Sequence, residues 1–281
     1  MNPVNVSSRL FSLLILISIL WGCTGSKETT LSPIEKGRLI VVDQSDNGFV
    51  LRGSRSLIKY DFRNHPSARY DFDLTVHDMG LSTDLRLYAF NTDFQKFYIL
   101  DKYLNLITEY NFNDYFSFLV RHPVLANGQN IWLYNQTEHK LQEYSAQLEF
   151  RTESRNLNWE IPNVRVDQLI FHQNEIYLID HSRGVFIFDY AGRLRQRISL
   201  PPVSRDIQID HTMSRIFAFV SGAWHVIDPD LPNPTLQPLN LPAMETLQDT
   251  DQLIFQNAKI YHWNTDMQQM EISENRYLLP D

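Results

Sequence analysis

Apolar residues along this chain fall in runs of four to six, at odd and even positions alike, as in IYLI at 176–179 and VFIF at 185–188. A strand with one wet face alternates apolar and polar, whereas a strand covered on both faces reads as an unbroken apolar run. The runs are rich in β-branched and aromatic residues, and turn dipeptides separate them: Asn47-Gly48, Asn127-Gly128, Arg183-Gly184, Ala191-Gly192 and Ser221-Gly222. The best helical candidate, DKYLNLITEYNFNDYF at 101–116, is dense in Asn and aromatic residues that favour other conformations. The pattern therefore predicts an all-β chain of short, doubly covered strands.

The runs repeat. One anchor is an aromatic residue in a short run: Phe49, Tyr88, Trp132, Tyr177, Phe217 and Tyr261. A second follows ten to twelve residues later, its last apolar residues being Tyr60, Leu100, Tyr144, Phe188, Ile227 and Ile272, at separations of 40, 44, 44, 39 and 45. Aspartate follows four of these (Asp61, Asp101, Asp189, Asp228) and serine two (Ser145, Ser273). A repeated Asp at such a place reads as a turn cap. The pentapeptide DQLIF occurs at Asp167 and again 84 residues later at Asp251, two repeat lengths apart.

Each repeat divides into four strands, most clearly between Val166 and Leu200: VDQLIF innermost, NEIYLID second, GVFIFDY third, RLRQRISL outermost. Four strands per 40–45 residues is the period of a propeller blade, and no blade can cover both its faces alone. The 245 residues from 37 to 281 supply six blades. The predicted domain is a six-bladed β-propeller of four-stranded antiparallel blades over 37–281. In architecture it resembles NHL and YWTD-like propellers. A sandwich or solenoid of similar strands is the competing architecture.

Ahead of the repeats, Arg9 precedes LFSLLILISIL at 10–20, an apolar run short for a bilayer span but of secretory-signal length. Leu20-Trp21-Gly22-Cys23 resembles the lipobox of bacterial lipoproteins. That resemblance implies a signal peptide over 1–22, lipidation of Cys23, a flexible tether over 23–36, and membrane attachment through lipid. Thr24, in place of the aspartate that favours inner-membrane retention, implies the outer membrane of the cell envelope. Cys23 is the sole cysteine, which excludes internal disulfides and cysteine-built metal sites.

The chain after residue 22 carries 24 basic and 33 acidic residues, which argues against general nucleic-acid binding. Phosphate-loop, HExxH, GxSxG and EF-hand motifs are absent. His172 and His181 flank the second strand of one repeat and read as satisfied surface or loop residues. Counting back eleven or twelve positions from the aromatic anchors gives Arg38, His77, Arg121, Arg165 and Arg205, a set of basic residues expected to ring the channel mouth. Such a ring favours an anionic partner; ion pairs with Asp78, Asp167, Asp206 and Asp251 are the purely structural reading.

The favoured function is a membrane-tethered, non-enzymatic binding or scaffold lipoprotein that presents a propeller face to an envelope protein or anionic ligand, with no cofactor. The alternative is a metal-dependent hydrolase or lactonase, with a divalent cation held by inner-strand oxygens such as Asp78, Asp167, Asp206, Asp210 and Asp251.

Overall fold

The computed structural model describes residues 37–201, 203–210, 214–239, 252–256 and 259–274, with the side chains of 203–206 and 274 not described. The signal peptide and tether read from the sequence, Cys23 included, lie outside the described residues, as do Asp251 and the side chains of Arg205 and Asp206. Among the described residues, no helix is long and apolar enough to cross a membrane.

Six sheets follow one another along the chain, each with its strands in sequential antiparallel order. Blades 1 to 5 have four strands, and three are described for blade 6. In blade 4 the strands are Gln168–His172, Glu175–Asp180, Gly184–Asp189 and Leu194–Ser199, as the repeat predicts. The DQLIF copies form the inner strands of blades 4 and 6. Every residue of the second strands Leu87–Asn91 and Ile131–Asn135 is buried, because neighbouring blades cover both faces. Outer strands such as Pro66–Asp71 and Leu106–Asn111 meet solvent along their length and carry alternating exposure. All six aromatic anchors sit in second strands and are buried, each worth about 1.5–3 kcal/mol relative to exposure.

The conserved spacing of Asp and Ser after the third strand has a local cause. Oδ1 of Asp61, Asp101 and Asp189 each accepts hydrogen bonds from the backbone N–H two and four residues on, at 2.8–3.0 Å. Ser145 Oγ does the same at 3.2 Å. These side chains replace backbone partners in the turn to the outermost strand. At Gly184, φ is +123°, and an added Cβ would collide with the carbonyl of Ile198, so only glycine fits there.

Blade 6 meets blade 1 through apolar packing and specific polar bonds. Tyr261, Trp263 and Met270 pack with Leu39, Val42, Val50, Ile58 and Tyr60. Trp263 Nε1 donates to the Gly37 carbonyl at 3.0 Å, and the Leu39 N–H donates to Gln252 Oε1 at 2.7 Å. Asn64 exchanges two bonds with the backbone of Met270. Asp46 accepts from Lys259 Nζ at 2.8 Å and from Tyr261 at 2.6 Å. Burial opposes its ionisation, but the hydrogen bonds and charge of Lys259 and the Tyr261 bond outweigh that and hold the carboxyl below its ordinary range. First and last repeats thus join into a ring, which an open solenoid does not do.

Candidate functional site

The inner strands of all six blades surround a central cavity of about 410 Å³. The volume falls in the range of small-molecule sites. Strand register decides which side chains reach it. The residues facing the six aromatic anchors across the first hairpin are Val41, Gly80, Val124, Ile170, Gln208 and Ile254. Two positions earlier stand Leu39, Asp78, His122, Gln168 and Gln252, all lining the cavity, with Asp206 at the equivalent sequence position of blade 5. A largely polar ring thus sits inside an apolar propeller.

His122 reaches this ring through an irregularity. Arg121 faces Tyr134 and Val124 faces Trp132, so both His122 and Pro123 oppose Leu133. The extra residue makes a β-bulge, and His122 adopts φ +46° in the left-handed region that non-glycine residues seldom occupy. Pro123 also steers the residue before it away from right-handed helical geometry. The His122 Nδ1 lies 3.2 Å from Asp78 Oδ1 of the neighbouring blade. An Nδ1–H donated to the carboxylate leaves Nε2 as the acceptor of the neutral ring, open to a ligand's N–H or O–H. Tyr88 lies over Gly80, where an added Cβ would overlap its hydroxyl. Burial, with Asp78 nearby, pushes the phenol pKa up, so Tyr88 keeps its proton.

The basic residues divide. Arg38 and His77 line the cavity. His77 Nδ1 accepts from the Thr92 N–H at 3.0 Å, and Nε2 lies 3.8 Å from Asp93. Arg121 turns to its own blade, where Nε donates to Gln136 Oε1 at 3.0 Å. Arg165 is 75% exposed and pairs with Asp167 at 3.0 Å. Register explains the place of Arg165. Counting three positions back from the residue facing each anchor gives Arg38, His77, Arg121, Asp167, Arg205 and Asp251, so the blade 4 equivalent is Asp167 and Arg165 lies two residues farther out. A fixed offset from the anchor cannot follow hairpins whose loop lengths differ.

Of the two histidines of blade 4, His181 lies in the loop after the second strand, as read, whereas His172 is buried at the end of the first strand. His172 is 1% exposed, with Nε2 3.2 Å from Ser214 Oγ of blade 5. His181 lines the cavity, its N–H donates to Asp167 Oδ2 at 2.9 Å, and its Nε2 is buried without a hydrogen-bond partner among the described residues. Nothing in the local sequence distinguishes His181 from a loop histidine outside the cavity. Among the described residues, no three His, Cys, Asp or Glu side chains converge as a cation site would need.

The architecture is that of a six-bladed β-propeller with a polar central cavity. No family model and no curated protein matches the chain. Among solved structures it is similar to virginiamycin B lyase from Staphylococcus aureus, at 10% identity and TM-score 0.52 over 87% of this chain and 86% of that one. A catalytically inactive variant of the same enzyme with quinupristin gives 11% identity and TM-score 0.54 over 88% and 87%. A streptogramin B lyase structure gives 11% and 0.53 over 89% and 85%. At these identities the likeness is one of fold.

Proposed function

We propose that this chain is a lipid-anchored, non-enzymatic binding propeller of the bacterial cell envelope that receives an anionic group of its ligand in the central cavity. The observation that carries the reading is the shared lining of one cavity of about 410 Å³ by Arg38, His77, Gln168 and Gln252, where the carboxylates Asp78 and Asp167 of the same lining are engaged by His122 and by Arg165. Arg38 supplies a permanent cation, and the His77 Nε2–H and the Gln168 and Gln252 amides supply directional donors beside it. An acidic chain that keeps such donors at its centre favours an anion there over its remaining surface.

The metal-dependent alternative finds less support in these residues. Asp78 and His122 engage each other, and the described donors do not assemble a cation's ligand set. One tightly held calcium or zinc per purified chain would overturn this preference.

Thermal melts with phosphate, citrate and acidic oligosaccharides test the cavity. A ligand at about a hundred times its Kd adds about 2.7 kcal/mol of stability. That corresponds to a rise of several degrees for a domain of this size. The rise is expected for the wild type and lost in Arg38→Gln with His77→Gln, both exposed enough to change with little effect on the unliganded melt. If no anion raises the wild-type Tm, the anion-binding reading falls.

A further inference from the structure

Four large apolar side chains stand exposed on one face of blades 2 to 4: Phe94 at 61%, Tyr115 at 59%, Leu119 at 52% and Trp159 at 83%. They belong to loops between second and third strands and to the links between blades. Antiparallel alternation brings both kinds of segment to the same end of every blade. Hydrogen bonds join these segments into one surface. Asn113 Nδ2 donates to the Phe94 carbonyl at 3.3 Å, the Gln136 N–H to the Leu119 carbonyl at 3.2 Å, and Asn156 Nδ2 to the Glu138 carbonyl at 2.7 Å.

The exposure is built in. Trp159 lies in a single helical turn, Leu157–Glu160, that Asn156 caps by accepting from the Asn158 N–H. Leu157 and Ile161, 0% and 1% exposed, pin both ends of that turn to the core and hold the indole outward. On the opposite face the exposed aromatics Phe62, Tyr103 and Tyr190 stand singly on separate blades, and Arg63 and Lys102 lie over the first two rings. Leu106, Ile107 and Phe150 are also exposed toward that end, at the starts of outer strands, whereas the four groups on the Trp159 face come from successive hydrogen-bonded segments.

We propose that this face contacts the bilayer surface; the inference rests on the lipid anchor at Cys23. Gly37, where the propeller begins, pairs with Arg52 at the end of a second strand, so the chain enters on this same face. Thirteen residues separate Cys23 from Gly37, a reach of at most about 45 Å even if fully extended. A tether that short holds the face near the bilayer at an effective concentration of about millimolar, where a weak contact is occupied. Trp and Tyr, with an apolar body and a polar edge, suit the headgroup boundary, and Phe and Leu suit the acyl region beneath it. Asp93 and Glu138 border the patch, with side chains 73% and 54% exposed, so the contact is apolar and needs no anionic lipid.

The test uses the lipidated chain in phosphatidylcholine vesicles that carry lipid brominated on its acyl chains. Trp132, Trp224 and Trp263 are at most 4% exposed, so Trp159 is the indole among the described residues that lipid can reach. Bromolipid is expected to quench part of the tryptophan fluorescence, and Trp159→Phe is expected to lose that part while melting as the wild type does. Equal quenching in both proteins, or none in the wild type while it still sediments with the vesicles, overturns the face contact and leaves the anchor standing. Failure to sediment with vesicles overturns the anchor and the contact together. A protein occupant is the remaining outcome. Trp159 unquenched on lipid, with a Trp159→Cys thiol protected from an impermeant maleimide in isolated envelopes, would replace the membrane reading.

Discussion

Exchange of Cys23 for serine is expected to move the protein from the membrane fraction to the soluble fraction. The reason is the imbalance between the two proposed contacts. Each buried methylene of an acyl chain contributes about 0.8 kcal/mol, so two or more chains give attachment that washing does not reverse. The face with Phe94, Tyr115, Leu119 and Trp159 offers four side chains and works only while a tether keeps it close. Without lipid, the acidic domain has no comparable hold on anionic membranes. Fractionation with and without high salt, followed by dilution, reads the result. Retention of the serine variant after both treatments would remove the lipoprotein reading and the tether-based argument with it.

Trp263→Ala is expected to destabilise the propeller by about 3–5 kcal/mol, a fall in Tm on the order of 10 °C. Trp263 is 0% exposed, packs on Tyr60 with ring centroids 5.7 Å apart, and donates to the Gly37 carbonyl. Truncation leaves a cavity between blades 6 and 1 and removes a polar partner at the seam. The matched control is Trp159→Ala, equal in volume lost but on an exposed side chain, where the cost should stay within about 0.5 kcal/mol. Similar melts for the two variants would mean that the ring does not depend on this seam. A solenoid behaves in that way, since each repeat leans only on its neighbours.

The blades were legible because their physical cause is local. A strand covered on both faces must be apolar at consecutive positions, so Ile176–Ile179 and Val185–Phe188 carry their environment in composition alone. The turn caps were legible for the same reason: Asp61, Asp101 and Asp189 bond to N–H groups two and four residues away. Their repetition set the blade count, while the packing of blade 6 on blade 1 decided between a closed ring and an open solenoid.

The cavity lining was legible only in part. Arg38 and His77 reach it as counted from their anchors, but Arg165 does not, because side chains on a strand alternate and hairpin lengths differ between blades. His122 and Asp78, 44 residues apart, meet through a bulge and across a blade boundary, and His181 enters the cavity from the end of a second strand. None of these leaves a periodic signal. The sequence by itself determined the repeat, its strands and its turns, all of which follow from interactions within a few residues or from burial on two faces. Tertiary structure decided which polar groups share the central cavity and which apolar groups stay outside, because both depend on register and on the packing of blades far apart in the chain.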